Sequence, residues 1–106
     1  MDLQGQRDLR ILSELNRDGG ATQRTLATKL GVALGLTNLY LKRLARKGHI
    51  KITTIPHNRI RYLLTPQGFT EKSRLTYQYM QYSLSYYRDM RTRLKEMMST
   101  FDGSHG

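Results

Sequence analysis

Residues 22–48 read TQRTLATKLGVALGLTNLYLKRLARKG, and this stretch decides the fold. Its apolar residues recur every three or four positions on both sides of a glycine, which predicts two amphipathic helices, Gln23–Leu30 and Leu34–Lys47. Gly31 ends the first helix, because the tight turn needs a residue that tolerates a left-handed backbone. Gly48 closes the second helix. Two short helices joined by such a turn form a helix-turn-helix.

The flanking sequence adds a helix before this motif, and a hairpin and a long helix after it. The predicted elements are helices at Gln6–Arg17 and Pro66–Met98 and strands at His49–Ile55 and Ile60–Leu64. In the first strand, Ile50, Ile52 and Thr54 are expected to face inward. The fold class is therefore mainly α with a small β-hairpin, a winged helix-turn-helix followed by a long C-terminal dimerisation helix. The predicted divisions are a DNA-binding domain (1–65), a dimerisation helix (66–98) and a flexible tail (99–106).

The charge of the chain is strongly one-sided. The formal net charge is +10, and residues 1–65 hold 12 Lys and Arg against 4 Asp and Glu. No carboxylate occurs between Asp18 and Glu71, whereas nine Lys or Arg do. A basic surface without acids indicates a polyanionic partner, and double-stranded DNA is the commonest one.

The second helix of the motif is predicted to enter the major groove. If Thr37, Leu41 and Leu44 face the core, the opposite side of this helix faces the bases. The residues expected there are Leu34, Gly35, Asn38 and Leu39. An Asn amide pairs bidentately with adenine, and a leucine side chain contacts a thymine methyl group. The alternative is that these leucines are additional core.

A second group of polar residues is predicted to contact phosphates or to lie on the wing, the hairpin tip at 56–61. Its members are Thr22, Gln23, Arg24, Lys42, Arg43, Arg46, His57, Asn58, Arg59 and Arg61. A basic wing lies along the DNA backbone or places an arginine in a narrow minor groove. The alternative is an ordinary solvated turn.

The long helix carries apolar residues at near-heptad spacing, in steps of four, three, four, four, four and three residues. The positions are Leu75, Tyr79, Tyr82, Tyr86, Met90, Leu94 and Met97. Because a small head has too little surface to bury such a stripe, pairing with a second copy in a coiled coil is the expected solution. Stacking of its tyrosines on nucleic-acid bases is the alternative.

Other functional classes have little support in the sequence. The chain has no cysteine, and its three histidines are scattered, so neither a metal-ligand spacing nor a catalytic set is present. We expect no enzymatic activity and no cofactor. No segment has the length of an apolar membrane span, and we expect a cytoplasmic, nucleoid-associated protein that does not bind membranes. A small-molecule effector between the long helix and the head is left open.

Two runs of sequence resemble a known family. The run LGVALGLTNLYLKRLARKGHIK (30–51) is similar to the recognition unit of MarR-type winged-helix regulators, although Leu36 stands where that family usually has a basic residue. The run YLLTPQGFTEKSRLT (62–76) resembles the small MarR-like regulators associated with exopolysaccharide gene clusters. The resemblance implies a protein that regulates transcription by binding DNA as a homodimer.

The sequence therefore predicts a sequence-specific DNA-binding transcriptional regulator that acts as a homodimer, with helix 34–47 in the major groove and wing 56–61 on the backbone or minor groove. Two alternatives remain. One is a winged-helix module for protein–protein interaction, and the other is a non-specific architectural nucleic-acid binder.

Overall fold

A computed structural model describes residues 2–56 and 59–105, with side chains except those of Ile55 and residues 102–105. The elements in chain order are α1 (Leu3–Arg17), α2 (Gln23–Leu30), α3 (Leu34–Arg46), β1 (Ile50–Ile55), β2 (Arg59–Leu64) and α4 (Pro66–His105). The winged helix-turn-helix followed by a long helix is confirmed.

Short polar side chains set the starts of three helices. The Asp2 carboxylate accepts a hydrogen bond from the backbone N–H of Gly5 at 2.7 Å, so α1 begins at Leu3 rather than at the predicted Gln6. Thr22 caps α2 by accepting from the backbone N–H of Thr25. Thr65 caps α4 in the same way. Ala33 before α3 makes no side-chain cap.

The core lies between the three helices of the head, residues 2–75. Its fully buried side chains are Ile11, Leu12, Leu15, Leu26, Thr37, Leu41 and Leu44. Leu75 on α4 belongs to the same cluster and is only 4% exposed. The prediction that placed Leu75 in the dimer contact is therefore wrong, because the first turns of α4 pack against α1 of the same chain.

The hairpin is anchored at its base and by Tyr62 on β2, which is 4% exposed and forms a bridge with Ala21. Ile50 pairs with Leu64, and the register runs to Ile55 opposite Arg59. Ile50 is buried, but Ile52 is 43% exposed and Thr54 is exposed as well. The predicted inward orientation of Ile52 and Thr54 is wrong because the strands extend past the edge of the helical core.

The first turn of α4 packs closely against the backbone before β1. A β-carbon on Gly68 would overlap the carbonyl oxygen of His49, so only glycine lets α4 approach the start of β1. The helix continues for 40 residues to His105. The predicted end at Met98 is therefore wrong, since 99–105 prolong the helix. From Tyr77 to Phe101 every side chain except the half-buried Ser83 is exposed, and the molecule is 75 Å long.

Candidate nucleic-acid interface

The side of α3 that faces away from the core forms the outward face, which consists of Leu34, Gly35, Asn38, Leu39, Lys42 and Arg46. Leu39 is 63% exposed and Leu34 is 46% exposed. Thr37 and Leu41 on the opposite side are fully buried. At 3.6 residues per turn, Gly35, Leu39, Lys42 and Arg46 fall along one stripe, with Leu34 and Asn38 beside it. The leucines of this face are not additional core in the single chain.

The polar atoms of the outward face are unengaged. The Asn38 amide makes no hydrogen bond within 2–56 and 59–105, and its side chain is half-buried. The exposed cations Lys42 and Arg46 have no ion-pair partner among the residues described. Arg24 at the start of α2 is also exposed and unpaired within that part of the chain. These groups have their full hydrogen-bonding capacity left for a ligand.

Arg43 has a different environment from the one predicted. Its Nη2 lies 3.3 Å from a carboxylate oxygen of Asp8, and its guanidinium stands 5.7 Å from the centre of the Tyr40 ring. Position 43 lies on the side of α3 that turns toward α1. Arg43 thus neutralises a buried carboxylate and ties α3 to α1, while its predicted contact with a phosphate stays a prediction.

Gln23 connects three parts of the motif. Its side-chain N–H donates to the backbone carbonyl of Leu34 at 3.1 Å, and its amide oxygen accepts from the Tyr62 hydroxyl at 3.2 Å. Burial raises the pKa of Tyr62, so its hydroxyl stays a donor over the whole neutral range. The amide of Gln23 is thus used to fix the start of α3 relative to α2 and the wing. Thr22 beside it is exposed at the helix start.

The wing contributes two exposed arginines. Arg59 begins β2, and the end of the Arg61 side chain lies beside Gly20, which has φ +99°. The Arg61 guanidinium is thus close to the turn that precedes α2. The predicted wing residues His57 and Asn58 lie outside the described residues.

Three acids of the head, Asp8, Glu14 and Glu71, pair with basic residues outside the outward face. Lys29 Nζ lies 3.0 Å from Glu14 Oε2, and this hydrogen bond lowers the pKa of Glu14. Arg74 pairs with Glu71 three residues earlier and lowers the pKa of that carboxyl group in the same way. With Asp8 held by Arg43, the negative charges of α1 are compensated locally, and the positive potential near α3 is not cancelled.

The predicted dimer contact is an exposed stripe on α4 once Leu75 is removed from it. The α4 seam comprises Tyr79, Tyr82, Tyr86, Met90, Leu94 and Met97. Their exposed fractions run from 40% at Met90 to 69% at Met97. No other part of the described chain covers them, which leaves a long apolar surface open to a partner.

The structure brings together a set of residues that no local spacing links. A cleft of about 330 Å³ lies between the start of α1 and the first turns of α4, lined among others by Asp2, Asp8, Lys47, Glu71 and Arg74.

Within 2–56 and 59–105, no three His, Asp or Glu side chains are grouped so as to hold a metal ion. In the same ranges, no helix is both long and apolar enough to cross a membrane.

A sequence comparison finds a family match in the N-terminal half of the chain. Residues 6–51 match the family model described as winged helix-turn-helix DNA-binding. This range contains α1, α2 and α3 and ends at the start of β1. A comparison with curated protein sequences finds no match.

Solved structures extend the likeness to the whole fold. YusO from Bacillus subtilis has a TM-score of 0.65 at 24% identity, with 76% of this chain and 60% of YusO covered. PcaV from Streptomyces coelicolor, solved with its natural ligand, has a TM-score of 0.70 at 18% identity over 93% of this chain and 74% of PcaV. MarR from E. coli has a TM-score of 0.60 at 23% identity over 64% of this chain and 52% of MarR.

These matches bear on the family resemblance at the level of the fold. The chain spans less than two thirds of YusO and of MarR. The narrower likeness to exopolysaccharide-associated regulators is not tested by them and stays a prediction. The chain is a winged helix-turn-helix protein with the fold of the MarR-type transcription regulators.

Proposed function

We propose that the chain is a sequence-specific DNA-binding transcription regulator that acts as a homodimer. The observation that carries the proposal is the outward face of α3, where Leu39, Lys42 and Arg46 are exposed. The two cations have no ion-pair partner within the described chain. The sequence has no carboxylate between Asp18 and Glu71, so α3 and its sequence neighbours carry no negative side chain that would repel a phosphate. In this fold the second helix of the motif enters the major groove.

The wing extends this surface. Arg59 and Arg61 are exposed on β2, and Arg61 lies beside Gly20 next to the start of α2. Together with Arg24, these cations are expected to contact the DNA backbone when α3 occupies the groove. Each phosphate that they neutralise makes binding more sensitive to salt, by about 0.9 log unit per tenfold change in concentration.

The homodimer accounts for the α4 seam. A second copy offers the same apolar stripe, and a two-fold pairing along α4 buries both in a coiled coil. Such a pair holds two heads on one duplex, which gives a palindromic site. The regulator then acts where the chromosome lies, in the cytoplasm, and the proposal needs no catalytic step.

The test is a selection of sheared genomic DNA from the source organism by the purified protein at about 0.15 M salt, a physiological ionic strength, followed by sequencing. We expect enrichment of a palindrome whose half-sites lie about one helical turn apart. The double variant Asn38→Ala, Arg59→Ala is expected to recover no such motif. Uniform recovery by the unaltered protein would contradict the proposal and favour a non-specific architectural binder.

A further inference from the structure

The first two turns of α3 present an unusually apolar surface for a helix that meets DNA. Leu34, Leu36 and Leu39 are 46%, 40% and 63% exposed, and no Lys or Arg occurs in α3 before Lys42. In this motif the N-terminal residues of the recognition helix contact base edges. The residues in position to read bases are therefore leucines, a glycine and one amide.

Gly35 makes the apolar surface accessible. It lies on the same stripe as Leu39, and a β-carbon there would meet no atom within 4 Å. An alanine would therefore fit, and it would stabilise α3 because alanine has a higher helix propensity than glycine. Because glycine has no side chain, the backbone of α3 beside Leu39 stays uncovered, and a group projecting from a base can come close to it.

The surroundings identify the occupant of this surface. Lys42 and Arg46 follow it on the outward face, Arg24 and Arg61 are exposed on neighbouring elements, and none of the four is paired with an acid in the described chain. An apolar surface bordered by unpaired cations is complementary to an apolar group that stands between phosphates. In the major groove the only such group is the C5-methyl of thymine.

Asn38 supplies the complementary polar contact. Its unengaged amide matches the N6 donor and N7 acceptor of adenine, while guanine is most often read by an arginine or lysine at this place. We infer that Leu34, Gly35, Asn38 and Leu39 select half-sites with an A·T core by contacting thymine methyl groups and adenine. This inference rests on the proposed DNA-binding function and adds the class of sequence that is bound.

The experiment compares DNA with and without the methyl group. A random duplex library is selected with the full chain, and the enriched sequence is then resynthesised with deoxyuridine in place of thymidine in the half-sites. Pairing is unchanged, and only the C5-methyl groups are lost. We expect an A·T core, and we expect affinity to fall roughly fourfold for each contacted methyl, the value for burying one carbon.

Two variants assign the effect to α3. Leu39→Ala is expected to reduce the difference in affinity between the thymidine and deoxyuridine duplexes by the share of one contacted methyl, roughly fourfold, while Leu84→Ala, at an exposed leucine on α4, keeps the full difference. Gly35→Ala is expected to fold with equal or greater stability and to bind more weakly. An enriched motif with a G·C core, or one that binds equally with deoxyuridine, would overturn the inference and leave the proposed function standing. Failure to enrich any motif would overturn both.

Discussion

The head and the distal part of α4 have apolar residues at similar spacings, but these residues are buried in the head and exposed on distal α4. In the head, Ile11, Leu15 and Leu41 lie at most 2% exposed against neighbouring helices. On α4, Tyr86 and Leu94 are 57% and 54% exposed, with nothing from the same chain against them. The spacing of apolar residues predicts which side of a helix is apolar, but it does not predict which element packs against that side. For the distal part of α4, we propose that a second chain packs against the apolar side.

The largest expected effect is on the stability of the head. Replacing Leu41, which is fully buried, with alanine leaves a cavity and is expected to lower the free energy of unfolding by about 2–5 kcal/mol. The matched change Leu84→Ala, at a 55% exposed position on α4, is expected to cost less than about 0.5 kcal/mol. Urea titrations of both variants measure the difference. Equal costs would contradict the contrast between the two regions.

The next effect concerns the α4 seam. Met90→Asp with Leu94→Asp places charges in the proposed contact and is expected to give a monomer that binds a palindromic site about 100-fold more weakly, because two linked heads bind with avidity. The control Thr92→Asp changes an exposed residue on the opposite side of α4. Light scattering and a DNA titration measure the outcome. If the double variant remained dimeric, the seam would not be the interface.

The order of elements was predictable because each is specified locally. Gly31 and the apolar spacing around it define two helices, and Thr65-Pro66 marks the start of α4. The exposed side of α3 followed from the positions of Leu41 and Leu44. Errors arose where long-range packing decides, as for Leu75, whose spacing fits both a seam and a core.

The engaged polar residues of the site were not predictable for the same reason. Arg43 finds Asp8, 35 residues earlier in the chain, and Gln23 finds Tyr62, 39 residues later. Their sequence neighbours give no sign of these partners. A residue type that suits phosphate binding also suits a buried ion pair, and only the fold distinguishes the two.

A pair of arginine variants tests that distinction. Arg46→Gln is expected to weaken DNA binding and to reduce the slope of log affinity against log salt by about 0.9, since one phosphate contact is lost. Arg43→Gln is expected to keep the slope and to lower stability instead, because Asp8 loses its partner. Affinities measured at several salt concentrations, with thermal unfolding of both variants, check the assignment. A reduced slope for Arg43→Gln would restore its phosphate role.

The smallest expected effect is a pH dependence within the head. The hydrogen bond from Lys29 lowers the pKa of Glu14 below its ordinary value of 4.5 in the folded chain. The stabilisation is therefore present above about this pH and is lost as the pH falls through the folded value. Because the pair lies near the surface, we expect at most about 1 kcal/mol.

The matched variant Glu14→Gln isolates this contribution. Its difference in unfolding free energy from the unaltered chain is expected to be constant at neutral pH and to shrink in acid below about pH 4.5. Urea titrations at a series of pH values measure it. A difference that grows in acid would contradict the assignment of the ion pair.

The central claim is that two copies join along α4 and place two heads on one duplex. Sedimentation equilibrium of the purified chain, alone and with the selected palindrome, tests it most directly. We predict twice the mass of the chain without DNA, and one such dimer per duplex with DNA. A single-chain mass at all concentrations, together with one chain bound per duplex, would contradict it.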